Sequence, residues 1–260
     1  MPFLKDYLNL SIEAAHIAGE IQKRSFGRTI RVDFKGPKDL VTEVDQQCEE
    51  AILKHITKTY PDHNILSEEG GAFQSDSPFR WIIDPLDGTT NYAHGYPFFC
   101  VSIALEQDEE IILGIAYNPM MNELFTAIKG EGSFLNGTPI HVSGTDKLEH
   151  ALLATGRLTR KKENMDVHFL QFRRLAMNAQ ATRRDGSAVL DLCYVAAGRF
   201  DGFWESGLNP WDSAAGSIII KESGGEITNF TGRPFNPFFP ELLASNGALH
   251  QLIMEILNIA

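Results

Sequence analysis

Two aspartates beside a glycine turn are the residues of this sequence that most clearly suggest chemistry. In WIIDPLDGTTNYAHG, residues 81–95, Asp84 and Asp87 flank a proline after an apolar run. The proline disfavours helix at Asp84, which predicts that a strand ends there with the carboxylate at its end. Gly88 permits a tight turn, and a helix opening after it would leave the amides of Gly88 and Thr89 available to a phosphate oxygen. Phosphoryl transfer with Mg2+ requires such groups, although an ordinary capped turn also explains this stretch taken alone.

Further acidic residues stand in comparable settings elsewhere in the chain. Glu68 lies between an apolar pair and two glycines in ILSEEGG, and Asp212 in NPWDSAAG precedes a predicted helix. Asp45 stands at the start of another predicted helix, after DLVTEV. For Asp45 and Asp212, each taken singly, an N-cap that accepts first-turn amides is the simpler interpretation.

Hydrophobic periodicity predicts the elements that position these residues. Helical spacing predicts a first helix over residues 4–19 and a second helix whose apolar face contains Val44, Cys48, Ile52 and Ile56. Alternating residues predict a strand at 30–34, then strands in RWIID, FFCVSIALEQDEEIILGIAYNP and NELFTAIKGEGSFLNGTPIHV, with a turn at Asn136-Gly137. A strand in HALLATG and a helix in VHFLQFRRLAMNA follow. We therefore expect an α+β domain over 1–145 and an α/β domain over 146–260.

Composition limits the class of protein. The chain has 260 residues, 43% of them hydrophobic, which is enough to bury a substantial core. Its three scattered cysteines suit reduced thiols in a cytoplasmic protein, and neither a membrane span nor a signal peptide is predicted. A net charge of −11 argues against direct nucleic-acid binding and against attraction to anionic lipid. The basic stretches RLTRKKE (157–163), Arg173-Arg174 and Arg183-Arg184 are interpreted as solvated surface.

Taken together, the acidic motifs resemble those of the inositol monophosphatase family along the whole chain. WIIDPLDGTTN matches the first family signature and WDSAAGSIIIKESGG matches the second, with DLVTEVD and EEG upstream in the expected order. Residues 183–216 look most like the bacterial SuhB-type members. The resemblance implies a layered αβαβα sandwich of the sugar-phosphatase type and a Mg2+-dependent phosphomonoesterase acting on inositol 1-phosphate or a similar polyol monophosphate.

The resemblance also implies roles for individual residues. Glu68, Asp84 and the carbonyl of Leu86 would hold one Mg2+, while Asp84, Asp87 and Asp212 would hold a second; a third ion is left open. Glu68 and Thr89, with Asp45 holding Thr89, would activate the attacking water.

Substrate contacts are implied at the phosphate and at the polyol. The phosphate would contact Gly88 and Thr89, and the polyol would contact the residues Gly186, Ala188, Glu205 and Asp212. Asp185 and Asn209 depart from the family pattern, which leaves the preferred ester open. Related phosphatases of fructose 1,6-bisphosphate, 3'-phosphoadenosine 5'-phosphate, NADP or histidinol phosphate are the alternatives.

Assembly and partners are implied by the resemblance alone. A homodimer and inhibition by lithium are expected from family behaviour. A mainly non-catalytic role as a protein partner of the transcription or ribosomal-RNA machinery is a further alternative, since some bacterial members are thought to have it.

Overall fold

The computed structural model describes residues 2–36, 39–156 and 165–258, so the basic stretch 157–163 lies outside the described residues. The helices of the described chain are α1 (Pro2–Ser25), α2 (Glu43–Thr59), α3 (Thr89–Ala93), α4 (Met165–Asn178), α5 (Ala188–Ala196), α6 (Ala214–Glu222) and α7 (His250–Asn258). Within these ranges, no helix combines the length and the apolar character needed to cross a membrane.

An eight-stranded sheet forms the centre of the first half. A small hairpin of β1 (Val32–Gly36) and β2 (Asp39–Thr42) precedes it. The strands of the large sheet are β3 (Asn64–Ser67), β4 (Gly71–Phe73), β5 (Phe79–Asp87), β6 (Cys100–Gln107), β7 (Glu110–Asn118), β8 (Glu123–Ile128), β9 (Gly132–Leu135) and β10 (Thr138–Pro139). Their spatial order is β10-β9-β8-β7-β6-β5-β3-β4, and the pairings are antiparallel except for the parallel pair β3 and β5.

A five-stranded sheet follows in the second half of the chain. Its strands are β11 (Leu152–Thr155), β12 (Ala181–Arg183), β13 (Gly202–Ser206), β14 (Glu226–Thr228) and β15 (Glu241–Ser245), in the order β12-β11-β13-β15-β14. The two large sheets lie on either side of residue 145, but both pack on α5 and α6. The division into two domains at that residue stays a prediction.

The elements stack in five layers. Helices α1 and α2 cover one face of the large sheet, α5 and α6 lie between the two sheets, and α4 and α7 cover the far face of the smaller sheet. The predicted apolar face of α2 is confirmed, since Val44, Cys48, Ile52 and Ile56 are all buried. Full burial of one such aliphatic side chain contributes about 1.5–3 kcal/mol. The αβαβα sandwich expected from the resemblance is therefore the fold of this chain.

Several local predictions are confirmed as well. The turn at Asn136-Gly137 joins β9 to β10 with φ of 50° and 77°, as a two-residue hairpin turn of this type requires. HALLATG contains β11, and VHFLQFRRLAMNA lies almost wholly in α4. The three cysteines are buried and unpaired, as expected for reduced thiols.

Asp191 is a buried carboxyl group in the first turn of α5. It is fully buried, and neither oxygen has a hydrogen-bond partner among the described residues. Burial raises the pKa of Asp191 well above its ordinary value, and the negative charges of Asp185, Glu205 and Asp87 raise it further. The pKa of Asp191 is therefore higher in the folded protein than in the unfolded chain. As the pH rises between these two values, the unfolded chain loses this proton more readily than the folded protein does, so folding becomes less favourable.

We expect Asp191→Asn to raise Tm by about 2–4 °C, equivalent to roughly 1 kcal/mol for a chain of this size. The gain should be larger at pH 7.5 than at pH 4, where the aspartate is closer to neutral in both states. Thermal unfolding at the two pH values measures the effect. The exposed Asp146→Asn is the control, and an equal gain at both pH values would contradict this explanation.

Candidate active site

A β-bulge in β5 brings Asp84 and Asp87 together. Opposite β6, Asp84 pairs with Ser102 and Asp87 pairs with Cys100, so three steps along β5 match two steps along β6. The prediction that the strand ends at Asp84 is wrong, because β5 continues to Asp87. The bulge accommodates Pro85, which has no amide hydrogen to donate to the neighbouring strand.

The bulge places the two carboxylates on one face of the sheet. In a regular strand, residues three apart point to opposite faces, whereas one extra residue restores a common direction. Ile82, two residues before Asp84, packs against α6, and Cys100, opposite Asp87, packs in the cluster that contains α5. Leu86 points the other way, into the core beneath α1 and α2. Both aspartates therefore face the layer of α5 and α6.

Asp212 reaches the same place from the short 3-10 helix Pro210–Asp212 that precedes α6. The interpretation of Asp212 as an N-cap is wrong. Asp212 is instead the third residue of a capping box, in which its Oδ2 accepts from the backbone N of Asn209 at 2.7 Å and from Asn209 Nδ2 at 3.3 Å. Asn209 thus orients the carboxylate of Asp212 towards β5.

Asp84, Asp87 and Asp212 form a compact cluster of carboxylates. One oxygen from each lies within 4.8 Å of the others. Asp84 is 2% exposed and Asp87 is 8% exposed. Burial raises the pKa of Asp84 well above its ordinary value, and the charges of Glu68, Asp87 and Asp212 add to this. Because buried like charges repel, a hard divalent cation that prefers oxygen ligands fits this donor set.

Asp87 is held by the N-terminus of α5. Its Oδ2 accepts from Ser187 Oγ at 2.5 Å and from the backbone N of Val189 at 2.8 Å. Burial raises the pKa of Asp87 to about 6, and these hydrogen bonds limit the rise. Since Oδ2 is occupied by protein donors, Oδ1 is the oxygen left for a cation.

Thr89 lies next to the carboxylate cluster, bonded to Asp45. Thr89 Oγ1 is 2.9 Å from Asp45 Oδ1 and 3.1 Å from the carbonyl oxygen of Leu86. The interpretation of Asp45 as an N-cap is wrong, because Thr42 is the N-cap of α2 and Asp45 is the third residue of its capping box. Asp45 Oδ2 accepts from Thr42, so one carboxylate both caps α2 and orients Thr89.

Gly88 makes the turn between β5 and α3. Its φ is 97°, and a Cβ at this position would lie 3.0 Å from the carbonyl oxygen of Phe98. Both facts favour glycine, since any other residue would be strained in φ and crowded by the backbone. A helix opens after Gly88, as the sequence predicts, since α3 begins at Thr89. The binding of a phosphate oxygen by the amides of Gly88 and Thr89 stays a prediction.

A cavity of about 400 Å³ opens over the cluster. Every predicted site residue except Asp45 lines it, and Asp45 lies directly behind Thr89. Glu68 follows β3, and its backbone N donates to the carbonyl oxygen of Ile83 at 3.2 Å. Because β3 and β5 are parallel and adjacent, their carboxyl ends deliver Glu68 and Asp84 to the same edge of the sheet.

The opposite wall of the cavity comes from the second half of the chain. It contains Gly186, Ala188 and Glu205. A Cβ at Gly156 would lie 1.9 Å from a carboxylate oxygen of Glu205, so a larger residue at this position would displace the Glu205 carboxylate. Arg184 also lines the cavity, and its Nε donates to the carbonyl oxygen of Gly156 at 3.0 Å.

Known proteins match nearly the whole chain. The model of the inositol monophosphatase family matches residues 4–260. The chain belongs to this family. It is 43% identical over 256 residues to the inositol-1-monophosphatase of Synechocystis sp., covering 98% of this chain and 89% of the relative. It is 44% identical over 236 residues to the Nus factor SuhB of Pseudomonas aeruginosa, covering 88% and 87%.

A solved structure of the same family superposes closely. The crystal structure of extragenic suppressor protein SuhB from Bartonella henselae has a TM-score of 0.94 at 38% identity, covering 97% of this chain and 98% of that one. Family membership makes this chain an enzyme, a phosphoric monoester hydrolase of the inositol monophosphatase type. The cluster of Asp84, Asp87 and Asp212 is a group of acidic residues that could hold a metal ion.

Two side chains that support the site were missed in the sequence. Ser187 caps α5 and donates to Asp87, and Asn91 donates to the carbonyl oxygens of Phe98 and Asp185, both at 2.7 Å. Asn91 ends the matched signature, which is the signal that could have indicated it. For Ser187 the N-cap preference before α5 was available, but its contact with Asp87 spans 100 residues of sequence.

Proposed function

We propose that this protein is a Mg2+-dependent phosphomonoesterase that hydrolyses inositol 1-phosphate or a similar polyol monophosphate. The observation that best supports this function is the cluster of the buried Asp84 and Asp87 with the partly buried Asp212 at the floor of an open cavity. Three carboxylates so close together are unfavourable without a cation. The polar cavity above them has room for a small phosphate ester.

The residues present allow two metal positions. One Mg2+ would be held by Glu68, Asp84 and the carbonyl of Leu86. A second would be held by Asp84, Asp87 and Asp212, so Asp84 would bind both ions. The number of ions, two or three, is left open. When bound, the ions neutralise the charge of the phosphate and stabilise the alkoxide that leaves. Leu86 contributes its backbone alone, since its side chain is buried in the core beneath α1 and α2.

The side chains around the phosphate orient and deprotonate the attacking water. Glu68 accepts the proton, and Thr89 Oγ1 accepts a hydrogen bond from the water while donating its own hydrogen to Asp45 Oδ1. Asp45 is fully buried and bonded to Thr42 through its other oxygen, so it fixes the direction of the threonine hydroxyl. The amides of Gly88 and Thr89 hold the non-bridging oxygens of the phosphate.

The polyol is assigned to the second wall of the cavity. Glu205 accepts hydrogen bonds from hydroxyl groups, and Asp212 contributes from the metal side. Gly186 and Ala188 are small residues that line this wall, which leaves space for a ring. A bisphosphate, an adenosine or NADP phosphate, or histidinol phosphate would need the same phosphate chemistry and a different fit at this wall.

A panel of esters tests this assignment. Inositol 1-phosphate, fructose 1,6-bisphosphate, 3'-phosphoadenosine 5'-phosphate, NADP and histidinol phosphate are assayed with Mg2+, and kcat/KM is compared. We expect the inositol ester to have the highest value and EDTA to stop its turnover. Equal values for all five would contradict the polyol preference, and turnover that EDTA leaves unchanged would contradict the metal mechanism.

A second function is suggested by the relatives that are named Nus factor. The Pseudomonas aeruginosa relative is named a Nus factor, so a protein partner in the transcription machinery is a candidate role for this chain too. We further propose a cytoplasmic homodimer that is inhibited by lithium, on the family resemblance. Sedimentation of the purified chain measures whether it is a dimer, and a titration of its activity with lithium measures the inhibition.

A further inference from the structure

Gln22 is a buried amide on α1 that the proposed mechanism does not use. It is 0% exposed, and its Nε2 donates to the carbonyl oxygen of Pro85 at 2.8 Å. Its Oε1 has no hydrogen-bond partner among the described residues. An unpaired buried oxygen is unfavourable, and an apolar side chain of the same length would avoid it. The presence of glutamine therefore points to its one donated hydrogen bond as the contact that matters.

That hydrogen bond meets the β5 bulge. Pro85 and Leu86 have no paired residue on β6, so their carbonyls need partners outside the regular ladder. The carbonyl oxygen of Leu86 lies 3.1 Å from Thr89 Oγ1 and lines the cavity, where it is the proposed metal ligand. The carbonyl of Pro85 is bonded by Gln22, which approaches from the opposite side of the sheet, on a helix of the first layer.

One rigid peptide connects Gln22 to the carboxylate cluster. The carbonyl of Pro85 and the N–H of Leu86 belong to the same planar unit and point in opposite directions. Gln22 bonds the carbonyl, and the N–H donates to Asp84 Oδ1 at 2.9 Å. Rotation of this peptide would break both bonds, so the amide of Gln22 holds the donor that orients Asp84.

Gln22 also connects the bulge to α3. Its own backbone carbonyl accepts from the hydroxyl of Tyr92 at 2.8 Å, and Tyr92 lies in α3. The start of that helix contains Thr89. The same residue of α1 is therefore bonded to the bulge through its side chain and to α3 through its backbone.

We propose that Gln22 is a positioning residue that sets the affinity of the site for divalent metal by fixing the Pro85–Leu86 peptide behind Asp84. This inference rests on the proposed metal-dependent function. A purely structural role for Gln22 would affect the stability of the metal-free protein and leave metal affinity unchanged. If Gln22 is a positioning residue, its substitution will weaken metal binding, because the Leu86 N–H that orients Asp84 is no longer held in place.

Calorimetric titration of the purified full chain with Mg2+, without substrate, tests the proposal. For Gln22→Met we expect Kd for Mg2+ to rise about tenfold, as for other residues that orient metal ligands. The Mg2+ concentration that half-saturates turnover should rise in parallel, with kcat at saturating Mg2+ little changed. Gln22→Asn keeps the amide but is one methylene too short to reach the carbonyl of Pro85, so it should also raise Kd for Mg2+. It replaces Gln22→Met as the test if the methionine variant fails to fold.

The matched control is Ser11→Ala. Ser11 is also buried on α1, and its hydroxyl donates to the carbonyl oxygen of Tyr7 within the same helix, at 2.8 Å. Its loss should leave Kd unchanged. Folded Gln22 variants that bind Mg2+ as tightly as the wild type would overturn the proposal, whereas a wild-type chain that binds no Mg2+ would overturn the metal-dependent function itself.

Discussion

Asp87→Asn is expected to lower kcat/KM for the best phosphate ester by about 1000-fold, since metal ions contribute several kcal/mol of transition-state stabilisation. Asp87 Oδ2 is occupied by Ser187 and Val189, and an asparagine oxygen can take over both bonds. The amide nitrogen then faces the cluster in place of Oδ1, and an amide nitrogen does not bind Mg2+. Steady-state kinetics at saturating Mg2+ measure the loss.

The fold should survive this substitution. Burial raises the pKa of Asp87 to about 6, so the metal-free protein holds a disfavoured charge at neutral pH that asparagine removes. Tm without metal should be equal or higher. Asp185→Asn is the control in the neighbouring loop, because Asp185 contacts Tyr96 and not the cluster, and it should retain activity within about tenfold. Near wild-type turnover in Asp87→Asn would refute the role of Asp87.

The same variant separates catalysis from a role in transcription. A cell that lacks this protein can be complemented with wild type or with Asp87→Asn. If hydrolysis is the function, the inactive variant will not restore growth. Full complementation by a folded but inactive Asp87→Asn would show that a protein partner, rather than the phosphate ester, is what the cell requires.

The acidic residues were predictable from the sequence, but the way they meet was not. The proline after Asp84 correctly indicated a break in the regular strand. Whether such a break ends a strand or becomes a bulge depends on the partner strand, and β6 begins 16 residues after Asp84, at Cys100. The common direction of Asp84 and Asp87 follows from that pairing, which periodicity within one segment does not contain.

The roles of Asp45 and Asp212 show a different limit. Taken singly, both were interpreted as N-caps, although Thr42 and Asn209, three residues earlier in each case, are good capping residues. The spacing of a capping box was therefore visible in the sequence. Local patterns could not supply the second contact of each carboxylate, because Asp45 meets Thr89 across 44 residues and Asp212 meets the cluster across more than 120. Only the family resemblance indicated these two contacts.

Thr89→Val is expected to lower kcat by about 100-fold or more, which is the usual range for removing a group that orients and deprotonates a nucleophile. Valine has nearly the same shape as threonine, so the start of α3 should be retained. The lost hydroxyl is the one that connects Asp45 to the cavity. Thr89→Ser, which restores the hydroxyl, is the matched control and should recover most of the activity.

Asp45→Asn tests whether Thr89 acts through this connection. An asparagine oxygen can still accept from Thr42, but its amide then faces Thr89 as a donor and turns the threonine hydrogen away. The hydroxyl can no longer accept from water in the required direction, so kcat should again fall. If the two residues act as one unit, the double variant Asp45→Asn/Thr89→Val will be no slower than Thr89→Val alone. Multiplied losses in the double variant would mean that Asp45 supports α2 independently and that Thr89 needs no partner to orient the water.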